Sequence, residues 1–176
     1  MAENLRTTRY SNGDPIPITE DGDEWSNLGS GAMCYFDNDP SHSGKWGALY
    51  NGFALNDDRN ICPAGWHVTT SEEYENLFAY LGGKDKAPVR LKTPGNRMDG
   101  TGLWNGFNFG SSNNSGFTAI PAGGRSINGN FTRLHSQTYF WRQRGAHFQL
   151  STRHQEIMIG FANFEHGFSV RCVKDK

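Results

Sequence analysis

The chain has 176 residues, 35 % of them hydrophobic and 13 % aromatic, with a formal charge of −1. That balance offers no electrostatic footprint for nucleic acid or an anionic membrane, and no apolar run approaches the roughly 20 residues that span a bilayer. The length suits one domain, 1–176, and 12 phenylalanines with 22 glycines predict a core of large rings joined by irregular backbone, a loop-rich α+β or all-β domain rather than a helical bundle.

Residues 1–30 are turn-rich, with Asn12-Gly13-Asp14-Pro15 and Asp21-Gly22-Asp23 as the clearest turn signals. The opening Met1-Ala2-Glu3-Asn4 is polar and reads as no secretory leader. Cys34-Tyr35-Phe36 is expected to be a short strand that leaves into an Asx-type turn at Asp37-Asn38-Asp39-Pro40. The alternating carboxylates Asp37 and Asp39 are the one place where a structural calcium is conceivable. The run lacks the glycine and distal glutamate of an EF-hand loop, so a plain turn is expected and no cofactor is assigned. Gly47–Leu55 reads as a buried strand closed by the polar turn Asn56-Asp57-Asp58.

Trp66-His67-Val68 reads as a strand. Thr70, with Glu73 three residues later, forms a capping box. Tyr74, Leu77, Phe78 and Leu81 then recur on one face of an amphipathic helix, which Gly82-Gly83 terminates. From 84 to 116 the chain reads as loop around Leu103-Trp104 and Phe107-Asn108-Phe109. Phe117–Ile120 is the next expected strand, closed by Pro121-Ala122-Gly123-Gly124. Asn128-Gly129 is a hairpin turn. Tyr139–Trp141, Ile157–Ile159 and Phe168–Cys172 are expected to be the remaining strands.

The cysteines, Cys34, Cys62 and Cys172, are too few and scattered for zinc. A bridge between Cys62 and Cys172 would close a loop of about 110 residues, and its formation depends on a compartment the residues do not reveal. Cys34 reads as a small buried apolar residue.

Several segments, in order, carry a family resemblance: Ala2–Tyr10 (AENLRTTRY), Gly47–Ala54 (GALYNGFA), Cys62–Val68 (CPAGWHV), Asn114–Arg125 (NSGFTAIPAGGR) and Gly167–Val173 (GFSVRCV). Together they resemble the Fibrobacter succinogenes major paralogous domain, in a match that spans residues 2 to 175. That family is similar to the C-type-lectin-like and formylglycine-generating-enzyme group, in which a Gly-Trp-x-x-x-Thr strand leads into the first helix, as Gly65 to Thr69 does here. The resemblance implies an α+β, C-type-lectin-like fold of short antiparallel strands, one or two helices and long loops. It also implies an extracellular or cell-surface setting, with a phage particle as the alternative. A tryptophan commonly precedes the Met-Ala-Glu-Asn-Leu opening in members, so the chain is expected to start inside that motif. An oxidising compartment favours the Cys62–Cys172 disulfide.

The departure from the family pattern is informative. Members commonly continue Trp-Ser-Ser-Thr after the aromatic strand, whereas Trp141 is followed here by Arg142-Gln143-Arg144-Gly145. The divergence runs from His135 to His166. A matched scaffold on both sides of a divergent stretch suggests that the stretch makes contacts. Related lectin-like domains serve as variable proteins of diversity-generating retroelements, with hypervariable positions near the C-terminus. The candidate ligand-binding residues are therefore Arg142, Gln143, Arg144, His147, Phe148, Gln149, Arg153, His154, Gln155, Met158, Phe161, Asn163 and Phe164. Mixed arginine, aromatic and amide side chains are what contact surfaces use. Phe140, Trp141, Leu150, Ile157 and Ile159 are expected to face the core.

Enzymatic readings find little support. No histidine can be placed beside Cys34 as a base, the cysteine pair of the formylglycine-generating relatives is missing, and Glu72-Glu73 suits a helix N-terminus. The calcium-lectin signatures Glu-Pro-Asn and Gln-Pro-Asp do not occur, and Trp104-Asn105 runs into Gly106. His147, His154 and His166 match no metal-ligand spacing, and Trp46, Trp66 and Trp104 read as core rather than sugar platforms. The expectation is a non-enzymatic ligand-binding or display domain with a variable C-terminal face. Its partner would be a protein or carbohydrate on another cell or host surface, without nucleic-acid binding or membrane insertion. A fixed-specificity carbohydrate adhesin and an accessory module of a secreted enzyme are the alternatives.

Overall fold

A computed structural model describes residues 1–106, 108 and 110–176. Phe107 and Phe109, read above as part of a loop, lie outside the described residues. The N-terminal half carries α1 (Gly22–Ser26), β1 (Met33–Cys34), α2 (Ser43–Trp46), β2 (Leu49–Tyr50), α3 (Gly52–Leu55), β3 (Trp66–Val68), α4 (Ser71–Tyr80) and α5 (Ala87–Leu91). The C-terminal half carries β4 (Ala122–Arg125), β5 (Phe131–Leu134), β6 (Gln137–Trp141), β7 (Ala146–Ser151), β8 (Met158–Phe161) and β9 (Cys172–Lys174). Among the described residues these form two small antiparallel pairs, β1–β2 and β3–β9, and a five-stranded sheet in the order β5-β4-β6-β7-β8. The architecture is α+β, and the sheet is antiparallel except where Gly123 of β4 meets Thr138 of β6 in parallel.

Helix α4 forms as its residues dictate. Thr70 Oγ1 accepts from the Glu73 amide at 3.1 Å while Glu73 Oε2 accepts from the Thr70 amide at 2.9 Å, closing the capping box. Tyr74, Phe78 and Leu81 are buried. The amide of Gly83 donates to the Phe78 carbonyl and that of Gly82 to the Ala79 carbonyl. With Gly82 at φ +90°, this is a Schellman stop that only glycine adopts without strain.

Several sequence expectations are corrected. The strand expected over Gly47–Leu55 is confined to Leu49–Tyr50, because the Asn51 side chain accepts from the Ala54 amide and caps α3 instead. Phe117–Ile120 is not a strand. Thr118 sits at φ +57°, held there as its amide donates to Asn113 Oδ1 at 2.6 Å, and a left-handed residue breaks the ladder. Ala122, Gly123 and Gly124, expected with Pro121 to close that strand, instead belong to β4 (Ala122–Arg125) of the main sheet. A Cβ on Gly123 would lie 2.5 Å from the Thr132 carbonyl oxygen, so its glycine serves close strand approach rather than a turn. Helix α5 occupies part of the loop expected from 84 to 116 and β7 is a further strand, while the hairpin at Asn128-Gly129 joins β4 to β5 as expected.

The expected strand Phe168–Cys172 is replaced by an extended run that knits the elements together, with regular pairing beginning only at Cys172. Gly167 exchanges two backbone hydrogen bonds with Arg125, Phe168 two with Tyr50, and Ser169 bonds Tyr139 and Trp141 of β6. The disulfide joins Cys62 to Cys172 across a separation of 110 residues, and the N-terminal amine donates to the Cys172 carbonyl at 3.0 Å.

Two buried arginines fasten this region. Arg125 donates to the carbonyls of Thr19, Glu20 and Gly129 and lies over the Trp25 ring. Arg171 donates to Asn4 Oδ1 and to the carbonyls of Phe117 and Thr118, over the Phe117 ring. Carbonyl dipoles replace the carboxylate partners that buried charges usually require, and burial pulls the Arg171 pKa down to about 10.

The main sheet is packed on both faces, unequally. On one face Phe140, Phe148 and Leu150 meet Tyr74 and Phe78 of α4 together with Trp104. On the other, Trp141 packs on Phe168 at 4.7 Å and donates its indole N–H to the Tyr50 carbonyl at 2.8 Å. Beyond Trp141 that second face is open, and a cleft forms there.

Candidate binding cleft

Strand pairing builds the cleft. In the β6–β7 register Trp141 is opposite His147 and Tyr139 opposite Gln149, while β8 places Gly160 opposite His147 and Met158 opposite Gln149. Side chains directly opposite one another share a face, so Tyr139, His147, Gln149 and Met158 lie on the open side and Phe140, Phe148 and Leu150 on the buried side. Gly160 is needed because a Cβ there would come within 3.0 Å of the His147 ring, so glycine lets the imidazole lie across β8.

The resulting cleft encloses about 310 Å³ and is lined by Arg125, Ser126, Thr132, Tyr139, His147, Phe161, Ala162, Asn163, His166 and Phe168. Its floor is an aromatic stack, with Tyr139 and Phe168 at 4.7 Å between ring centroids and 16° between planes. His147 and His166 each approach Phe168 at 5.2 Å. His166 Nδ1 lies 3.2 Å from the Asn163 carbonyl oxygen. A carbonyl only accepts, so that nitrogen carries the proton and the neutral ring presents Nε2 as an acceptor.

The cleft is electrically quiet near neutrality. Burial, with the His166 ring and Arg142 adding to it, pushes the His147 pKa down to about 4. Burial likewise lowers that of His166 and raises that of Tyr139. The Arg125 guanidinium is engaged by the four backbone carbonyls of Thr19, Glu20, Asp21 and Gly129. What remains is a concave aromatic surface edged by hydroxyl, amide and imidazole groups, suited to stacking and neutral hydrogen bonding.

A prediction follows for acid solution. The folded His147 pKa lies below its ordinary value of 6.5, so the unfolded chain binds more protons between about pH 6.5 and 4 and stability falls as pH drops through that window. NMR titration of the imidazole carbons should give a midpoint near 4 for His147 and one below 6.5 for His166. A midpoint of 6.5 for His147 would place its ring in water and dissolve the cleft.

The expected contact residues divide into groups. His147, Phe161 and Asn163 line the cleft, and Gln149 and Met158 flank His147 on the same face. Gln143 and Arg144 are exposed in the β6–β7 turn. Arg153, His154 and Gln155 lie in the β7–β8 connection and line a different cleft. With β7 between them, these two groups are separated by about 17 Å at 3.4 Å per residue.

Three expected contacts are corrected. Phe148 is 0 % exposed and packs on Tyr74, Phe78 and Phe140. Arg142 is buried and donates to the Ser71 carbonyl and to Glu75 Oε1, fastening the start of α4. Phe164 wedges between Gly52 and Gly145, where added Cβ atoms would each come within 2.8 Å of it, and packs edge-on against Phe53. Conversely, Ile159, expected in the core, is 40 % exposed because β8 is an edge strand. Tyr139, Phe168, Thr132 and Ser126 were missed as cleft residues. The alternation of Tyr139 with the core-facing Phe140 was the available signal.

The other candidate chemistries find these settings. Cys34 is buried, which raises its thiol pKa to about 12 and keeps it protonated. Asp39 accepts from the Ser41 amide at 2.9 Å, capping a 3-10 turn. Of the three histidines considered for a metal, His147 and His166 share one cleft and His154 lines another. Among the described residues no group of three or more His, Cys, Asp or Glu is arranged around a metal position, and no helix is long and apolar enough to cross a membrane.

A family model described as the Fibrobacter succinogenes major domain matches residues 1–174. No curated protein and no solved structure matches the chain.

Proposed function

The chain belongs to the Fibrobacter succinogenes major domain family, and from that premise we propose that it is a non-enzymatic ligand-binding and display domain of C-type-lectin-like fold. Its binding face is the open side of β6, β7 and β8. The observation that carries this reading is the Tyr139–Phe168 stack flanked by two neutral imidazoles at the mouth of an otherwise packed sheet. The disulfide and the paired termini support the lectin-like reading and favour an oxidising, extracellular setting.

The favoured ligand is a protein surface. Phe161, which lines the cleft, is 84 % exposed and Met158, beside Gln149 on the open face, 43 %, and large apolar side chains beside a polar cleft are what protein interfaces enclose. A fixed-specificity carbohydrate adhesin is the second reading, favoured by the neutral aromatic floor, on which a sugar ring can stack. In the first reading the face is diversified between copies, as in the variable protein of a diversity-generating retroelement.

Sequencing the 3′ end of the gene across its source population tests the diversification. Substitutions gathered at codons 143, 144, 149, 153–155, 158, 161 and 163, with Phe140, Trp141, Phe148 and Leu150 constant, are the expected result. An invariant segment would leave the fixed adhesin and remove the diversified binder.

A further inference from the structure

A second cleft, of about 400 Å³, lies beside α5 on the far side of the sheet connection, lined by Asp85, Pro88, Val89, Lys92, Thr152, Arg153, His154 and Gln155. Lys92 follows the last turn of α5 and is only 5 % exposed. An ammonium group has three donors. Among the described residues, Lys92 Nζ donates once, to the Ser151 carbonyl at 3.4 Å, and it otherwise lies 5.2 Å from the centroid of the Trp104 ring. No carboxylate of the described residues comes within ion-pair distance of it. Burial alone pulls its pKa down to about 8. A buried cation with one long hydrogen bond to a neutral oxygen is costly unless something pairs it.

We propose that this cleft binds a small oxyanion, a carboxylate or sulfate group, with Lys92 as its buried counter-charge and Arg153 as its partner at the mouth. Arg153 is exposed, and among the described residues only its backbone amide is tied down, donating to Ser151 Oγ at 2.9 Å. Its guanidinium is free to swing over a bound anion and give it two parallel donors. Gln155 adds an amide donor, and His154 an imidazole. Asp85 is the single carboxylate of the lining and limits the site to one compact anion. The apolar edge of Pro88 and Val89 leaves room for a hydrocarbon or sugar body attached to that anion. The site is distinct from the aromatic cleft and does not depend on the function proposed for it.

The test uses the full chain with 13C-labelled lysine. The Lys92 Cε resonance is titrated with pH in chloride, then in sulfate, acetate and glucuronate at matched ionic strength. Anion binding to the ammonium raises its pKa by the same factor by which it favours the charged form, so a rise of about one unit corresponds to about tenfold preference. The expected result is such a rise with at least one oxyanion and none with chloride. In calorimetry, Lys92→Met, which keeps the stem and removes the charge, should weaken binding of the same anion at least about tenfold. Stronger binding of glucuronate than of sulfate and acetate would identify the source as an acidic group on a glycan, and equal binding as a free oxyanion. A Lys92 titration that is unchanged by all three anions in the wild-type chain overturns the proposal, whatever the variant does.

Discussion

Replacing Cys62 and Cys172 together by alanine is expected to lower the unfolding free energy by about 4–5 kcal/mol, the chain-entropy value for a closed loop of this length. The bridge spans 110 residues of separation and ties the start of β9 to the segment that leads into β3. Freed of it, the unfolded chain regains the conformations the cross-link had excluded. A domain of this size has roughly 5–15 kcal/mol of stability in all, so the loss amounts to about a third of it at the upper end and nearly all of it at the lower. With both replaced, Cys34 is the one cysteine left in the chain and no intramolecular bridge can re-form. Urea unfolding of the two chains measures the difference. A loss below about 1 kcal/mol would show that non-covalent closure by Arg171 and the β3–β9 pair suffices.

Phe148→Ala is expected to cost about 3–5 kcal/mol, the range for emptying a phenylalanine site in a packed core. Phe148 stacks on Phe140 at 4.9 Å and meets Tyr74 at 4.6 Å and Phe78 at 5.2 Å, so one ring joins the sheet to α4. Neighbouring Gln149 and exposed Phe161 provide the contrast, since surface substitutions usually fall within about 0.5 kcal/mol. Chemical denaturation of Phe148→Ala, Gln149→Ala and Phe161→Ala separates them. Were Phe148→Ala as stable as the wild type, the two-faced sheet described here would be wrong and Phe148 would return to the contact surface.

The Phe148 assignment shows how far the residues alone could be read. Along β7, Ala146, Phe148 and Leu150 are buried while His147 and Gln149 are half-buried, a period of two visible in the sequence. The family resemblance draws attention to the whole divergent stretch instead, and on that basis Phe148 is grouped with its polar neighbours while Phe140, Trp141 and Leu150 are set to the core. Helix α4 was legible from cap to stop because its signals are local: a capping box, a 3.6-residue apolar period and a glycine pair. Strand β4 was not, because Ala122-Gly123-Gly124 has turn composition, and its glycines are explained only by tertiary neighbours, Thr132 and Phe36 at Gly123 and Phe168 and Tyr139 at Gly124. Arg125 and Arg171 look like surface residues by type. Their burial depends on carbonyls of residues up to 170 positions away, which no local pattern encodes. The same holds for the cleft, in which Tyr139 and Phe168 meet across 29 residues of chain.

Binding of the purified chain to an array of glycans and cell-surface protein ectodomains, with Phe161→Ala, His147→Ala and the remote surface variant Met98→Ala alongside, tests the binding face most directly. Met98 is 82 % exposed and lies outside both clefts. The expected result is saturable binding to a protein ectodomain, weakened at least about tenfold by Phe161→Ala and His147→Ala, as for central interface residues, and unchanged by Met98→Ala. Binding that survives both face variants, or a ligand lost only with Met98→Ala, would contradict the assignment of the open face of β6, β7 and β8 as the binding surface.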